Sequence, residues 1–192
     1  MVVKDSSKRK FLISCVKTLS TFGVVLGLWP FFSSMQPSRK VVDASKPIKV
    51  NLEDLQPNDV KKVLWRGMPI YIVRRTADQV NQLEKFSQVL RDPKSINSEQ
   101  PEFAVNPYRS KRKDILVVVA ICTHLGCSPT YKPEKHAIDN KWSGGFFCAC
   151  HGSKFDLSGR VFKGVPAPTN LLIPPYHFFD ENTLIIGTEA SA

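Results

Sequence analysis

A mainly β fold, a layered antiparallel β-sandwich with one helix insertion, set behind a single N-terminal transmembrane helix, is what this 192-residue chain predicts. Three observations carry that prediction. No charged residue occurs from Thr18 to Met35. Ile115–Ile121 (ILVVVAI) is an unbroken apolar run of strand length, rich in β-branched residues. The remaining apolar segments are short and punctuated by Gly, Pro and Asn, as strands between turns are. The length holds one ordinary domain plus an appendage.

The N-terminal element comes first. Lys8-Arg9-Lys10 precedes Phe11, and Phe11–Met35 as a helix spans about 37 Å at about 1.5 Å per residue, enough for a hydrocarbon core of about 30 Å. Lys17 lies close enough to the start for its stem to reach the headgroups. Gly23 and Gly27 permit close helix contact, and Pro30 sits near the far end, where a kink costs least. The basic flank places the N-terminus in the cytoplasm and the bulk of the chain outside. A cleaved signal peptide is the rival reading. The apolar stretch is longer than an ordinary signal core, and Ser33-Ser34-Met35-Gln36 is a poor cleavage site. Ser7-Lys8-Arg9-Lys10-Phe11-Leu12 is similar to a twin-arginine export motif with Lys for the first Arg, and a plain positive-inside flank accounts for it equally well.

The anchor also explains much of the charge. Of the net +10, residues 1–40 contribute +6 and the remaining residues only +4. Arg109-Ser-Lys-Arg-Lys113 has no interleaved aromatics and reads as a solvated approach to the Ile115 strand, so nucleic acid is not an expected partner.

Gln36–Lys49 shows no apolar period and reads as a flexible hinge, which divides the chain into 1–35 (basic tip and anchor), 36–49 (hinge) and 50–192 (head). Val63–Trp65 and Pro69–Arg74 flank Arg66-Gly67-Met68 as a hairpin. Thr76–Arg91 reads as the helix, with Thr76 as cap, Val80, Leu83 and Phe86 at three-residue steps, and Pro93 beyond its end. Asp92–Pro107 has loop composition, while Phe155–Phe162, Leu171–Ile173 and Thr183–Gly187 read as short strands.

Two boxes carry the chemistry. Cys122-Thr-His-Leu-Gly-Cys127 and Cys148-Ala-Cys-His-Gly-Ser153 each offer one Cys and one His at metal-ligand spacing, Cys122/His124 and Cys148/His151. Each also keeps a cysteine in reserve, Cys127 and Cys150, placed to form a disulfide beside the site. A tetrahedral zinc uses the same four donors, and ligand chemistry alone leaves it open. The reserve pair tilts the balance, because a structural zinc already ties two loops together, whereas a rigid site cycling electrons has use for a second tie.

The two boxes together resemble the signature of the Rieske [2Fe–2S] proteins of ubiquinol–cytochrome c reductases, the cytochrome bc complexes. The likeness extends through Phe155-Asp156, Gly159-Arg160, the Gly164–Pro168 loop and Pro174-Pro175-Tyr176, and it takes in the anchor and hinge. It implies a Rieske fold with a small cluster-binding subdomain at about 121–168. It implies that Cys122 and Cys148 bind one iron and His124 and His151 the other, with Cys127–Cys150 as the disulfide. Two ferric ions, two sulfides and two thiolates sum formally to zero. Rieske centres as a class accordingly lie high, at roughly −150 to +300 mV. The resemblance further implies that His151 is the catalytic residue, taking a proton from quinol at cytochrome b. The head then carries the electron to a membrane-bound c-type cytochrome. The implied setting is a dimeric, respiratory-chain oxidoreductase and translocase in the lipid of a bacterial inner membrane. There the chain is a single-pass protein with its cluster domain in the periplasm.

Around the boxes, Ser153 is expected to hydrogen-bond cluster sulfur, and Leu125 to shield the cluster from water. Gly164 and Pro166 belong to the loop expected to cover its other side. Phe155 stands where higher-potential relatives place a tyrosine hydroxyl, which implies a lower potential here. Ala149 replaces a common Pro, and Ser128–Phe147 is longer than in many relatives, with His136 read as a surface-loop residue. His177 is read as packing near a strand end and Cys15 as a small apolar residue of the anchor. A Rieske ferredoxin or oxygenase component is a second class, generally without the reserve cysteines and the anchor. A zinc-stapled exported module without redox function is a third.

Overall fold

A computed structural model describes residues 5–85 and 87–189. Contacts divide the chain into two compact units, Met1–Val42 and Asp43–Ala192. The first contains α1 (Ser6–Ser34), capped by Asp5, whose carboxylate accepts from the Ser7 N–H at 3.1 Å. This helix is long and apolar enough to cross a membrane, and Pro30 lies within its last turns. Phe11, Leu19, Phe22, Leu26 and Trp29 are all exposed, as a helix made for lipid requires.

The second unit is built from three three-stranded antiparallel sheets. One comprises β2 (Val60–Trp65), β3 (Met68–Arg74) and β4 (Ile115–Val119) in sequence order. The β2–β3 hairpin closes through Arg66 and Gly67, both at positive φ (53° and 74°), a two-residue turn whose twist matches the strands. The turn is one residue tighter than the sequence suggests, and Met68 pairs with Trp65. β4 is buried at all five positions, the expectation for a β-branched run packed on both faces. A second sheet orders β1 (Ile48–Asn51), β9 (Thr183–Ile186) and β8 (Tyr176–Phe178). The third comprises β5 (Thr130–Lys132), β6 (Gly145–Cys148) and β7 (Ser153–Phe155). One apolar core joins Val50, Ile70, Ile72, the β4 side chains, Phe146, Phe155, Tyr176 and Leu184. The mainly β antiparallel class with a helical insertion is therefore what forms.

Several elements depart from the sequence reading. The 36–49 segment is not plain coil: α2 (Arg39–Ala44) and the start of β1 lie in it. The Ala44 carbonyl accepts from the Arg66 N–H, and that of Lys46 from the Trp65 indole. The helical insertion α3 (Ala77–Gln82) begins as expected, with Thr76 and Gln79 forming a reciprocal capping box. It stops nine residues short of the expected Arg91: the Leu83 N–H donates to the Val80 carbonyl, tightening the last turn, and the Leu83 carbonyl accepts from the Arg160 guanidinium. Phe86, expected on its apolar face, lies outside the described residues. Phe155–Phe162 is not one strand. β7 ends at Phe155, and the Asp156 carboxylate accepts from the Ser158 and Arg160 N–H groups, folding the chain back so that Val161 bridges to Phe155. Leu171–Ile173, with Leu171 and Ile173 buried and Leu172 half-buried, forms no ladder. Flanked by Pro168 and Pro174-Pro175, it makes single bonds from Leu171 N–H to Gly159 and to Leu172 from Val119.

Arg109 is the sharpest correction. Read as part of a solvated basic run, it is fully buried. Its guanidinium donates to the Gln100 side chain and to the carbonyls of Ser158 and Gly159.

Candidate metal centre

Both cysteine–histidine boxes lie at the ends of strands. β4 delivers Cys122 after Ile121, and the first box closes on itself: Cys122 N–H donates to the Cys127 carbonyl at 2.7 Å and Gly126 N–H to the Cys122 carbonyl at 3.0 Å. The second box is the turn between β6 and β7. Cys148 and Ser153 are register partners, and Gly152 N–H donates to the Cys148 carbonyl at 2.9 Å. The β6–β7 pair depends on Gly145. Its φ is +150°, and a Cβ there would stand 2.0 Å from the Phe155 carbonyl oxygen.

The Cys127–Cys150 disulfide joins the two loops, with the α-carbons 6.7 Å apart. Cys122 and Cys148 are free thiols, both buried and close enough to influence each other. The His124 and His151 rings stand 4.7 Å apart at 89°. The fold thus brings together all four residues expected as ligands.

The residues fit a metal group. His124 Nδ1 is buried without a hydrogen-bond partner, although an imidazole nitrogen removed from water needs a donor, an acceptor or a metal. Burial pushes the Cys122 thiol up, so metal binding there must displace a proton, which couples loading to pH. Cys127 and Cys150, bonded to each other, are spent as ligands even though their sulfurs lie within 4.8 Å of the Cys148 sulfur.

Neighbouring contacts fix the two loops. Ser153 is fully buried; its oxygen accepts from the Ala167 N–H at 3.1 Å, and its hydroxyl lies beside the Cys122 sulfur. Thr123 Oγ1 donates to the Thr169 carbonyl at 2.7 Å, so the first box and the loop through Gly164 and Pro166 hold each other. Phe155 is fully buried in the core. Leu125 is 72% exposed, while Gly164 and Pro166 are also at the surface. His136 is exposed, at φ 62°, and His177 Nδ1 lies 3.1 Å from the Thr188 carbonyl beside β8.

Beneath the loops runs a cationic network that sequence reasoning missed in part. Arg160 and Asp156 form a buried pair at 2.7 Å. Arg75 donates to the carbonyls of Tyr108 and Leu157 and the hydroxyls of Ser110 and Ser158. Burial pulls both Arg75 and Arg109 down to about 10, and the carbonyl oxygens are what make their charge tolerable. Nothing local in the sequence marks either arginine as internal.

Comparison with known proteins adds independent findings. Residues 47–177 match the model of the Rieske [2Fe-2S] domain. The chain is 41% identical over 187 residues to a protein of Allochromatium vinosum named ubiquinol-cytochrome c reductase iron-sulfur subunit, covering 96% of this chain and 90% of that one. It is 39% identical over 184 residues to a protein of the same name from Blastochloris viridis, covering 95% and 94%. A solved chain titled "Hyperthermophilic respiratory Complex III" aligns over 88% of this chain and 96% of its own, at TM-score 0.49 and 24% identity.

Proposed function

This chain belongs to the Rieske [2Fe–2S] family, and from that premise we propose that it is the membrane-anchored iron–sulfur subunit of a quinol–cytochrome c reductase. What supports the reading is that the His124 and His151 rings stand 4.7 Å apart beside the buried free thiols of the same two loops, with His124 Nδ1 buried and unpartnered. In this reading Cys122 and Cys148 hold one iron and His124 and His151 the other. The cluster that these four residues would hold would supply one-electron redox chemistry between quinol at cytochrome b and a membrane-bound c-type cytochrome.

The chain's own residues do the rest. His151, exposed where His124 is half-buried, presents its outer ring nitrogen to quinol and takes the proton there. Ser153 donates to ligand sulfur and stabilises added negative charge. Phe155 offers no such donor. Leu125, exposed on the chain alone, covers the tip against water once a partner closes over it. Gly164 and Pro166, on the facing loop, form the other wall.

The helix α1 holds the subunit in the membrane, with its basic tip cytoplasmic and the head in the periplasm of a bacterial inner membrane, inside a dimeric, proton-translocating complex. The head moves between its two partners on the stretch between α1 and the first head contacts at Ala44 and Lys46. Deleting four residues from that stretch tests the movement in the intact complex. The reduced-state spectrum is expected to be unchanged and steady-state quinol oxidation to fall at least tenfold. Unaltered turnover contradicts the moving head.

A further inference from the structure

Three cysteine sulfurs crowd one spot: Cys148 Sγ lies within 4.8 Å of both sulfurs of the Cys127–Cys150 disulfide. Cys148 is free and buried, Cys150 is exposed and Cys127 half-buried. The other free thiol of the site, Cys122, is outside this group of three. A free thiol facing a disulfide is the reactant pair of thiol–disulfide exchange, whose rate follows access and the quality of the leaving thiolate. Attack at Cys150 closes a ring between residues two apart within a tight turn. Attack at Cys127 expels Cys150, whose thiolate emerges in water.

We infer that Cys148 is an internal nucleophile that rearranges the disulfide whenever iron does not occupy it. The Cys148 thiolate attacks Cys127 Sγ; the Cys127–Cys148 bond forms as the Cys127–Cys150 bond breaks. Cys148 gives up its proton, and the departing Cys150 sulfur takes one from water. Nothing is oxidised or reduced overall, and no external reagent is needed. The free thiols change from Cys15, Cys122 and Cys148 to Cys15, Cys122 and Cys150, their number unchanged.

The consequence for maturation rests on the ligand assignment above. The rearranged chain has lost Cys148 as a ligand, so it no longer accepts the cluster. Bound iron ties up the Cys148 lone pair and keeps the native pairing. Cluster insertion therefore competes with the rearrangement once the disulfide has closed, and reloading after cluster loss requires the exchange to run back.

The test uses the full chain in detergent, stripped of iron with a chelator under argon and without added thiol. Samples are quenched in acid over time, alkylated with N-ethylmaleimide and mapped without reduction, with fragmentation locating the label within Cys148-Ala149-Cys150. Label is expected on Cys148 at the start and on Cys150 later, as a Cys127–Cys148 peptide appears. The kinetics should be first-order and independent of protein concentration, with total label constant. Cys148→Ser is expected to abolish the change and Cys122→Ser to leave it in place. Native pairing that persists for a day, or label reaching Cys150 equally fast in Cys148→Ser, overturns the inference. Iron content, measured separately before stripping, reads the ligand assignment: rearrangement in a Cys148→Ala control chain overturns the exchange, whereas full iron loading of that control overturns only the assignment.

Discussion

Gly145→Ala concentrates the architecture of the site in one atom. The new Cβ would lie 2.0 Å from the Phe155 carbonyl oxygen and 2.9 Å from the Asp156 backbone. These neighbours are main chain, anchored by the β6–β7 register and by the Asp156–Arg160 pair, so they cannot step aside cheaply. Forcing alanine to a φ near +150° costs about 1–3 kcal/mol, and overpacking a tight contact a further 1–3 kcal/mol or so. A total of about 4 kcal/mol follows, or a melting midpoint lower by roughly 8–16 °C for a domain of this size. Because β6 ends in Cys148 and β7 begins at Ser153, the same strain should open the second box and hasten cluster loss. Thermal melts of the full chain in detergent, followed by far-ultraviolet circular dichroism and by visible absorption, read both effects. A midpoint within 2 °C of the parent, with unaltered bleaching, would refute the claim that this close approach builds the site.

Other expectations are as direct. Asp156→Ala strands the buried Arg160 charge and should cost about 3–5 kcal/mol in denaturant melts; a loss under 1 kcal/mol contradicts the network. Ser153→Ala orphans the Ala167 N–H, worth about 1–3 kcal/mol, and removes the hydroxyl beside the Cys122 sulfur, so a redox titration should show a lower midpoint. Phe155→Tyr should move that midpoint upward, and no upward shift sinks the role given to position 155. Although burial pushes the Asp114 carboxyl up, its hydrogen bonds with Arg112 outweigh this and hold it below its ordinary 3.8. A depressed carboxylate stabilises the fold above its unfolded value and ceases to as pH falls through the folded one. Stability should thus decline in acid, and Asp114→Asn should flatten that decline; an unchanged acid limb contradicts the pairing.

Local chemistry made some of this molecule readable before any coordinates. The Cys-His spacing, the β4 run, the Thr76 cap and the Arg66-Gly67 turn are short-range patterns, each decided within a few residues. What escaped was decided across the chain. Arg109 looks like a neighbour of Lys111 and Lys113, yet carbonyls of Ser158 and Gly159, about fifty positions away, draw it inside. The helix after Thr76 has the pattern to continue, but its last turn tightens at Leu83, whose carbonyl meets Arg160 from 77 positions away. β6 hides behind Ser143-Gly144-Gly145, where glycine reads as loop while serving close strand contact. The prolines after Ile173 turned a strand-like run into a segment without a ladder.

Pulsed EPR on the dithionite-reduced chain in its native membranes tests the central claim most directly. Two strongly coupled histidine nitrogens, in material carrying two irons and two acid-labile sulfides per chain, are the predicted result for a cluster held by Cys122, Cys148, His124 and His151. One nitrogen or none, or a colourless zinc-bearing protein silent in the measurement, would contradict it.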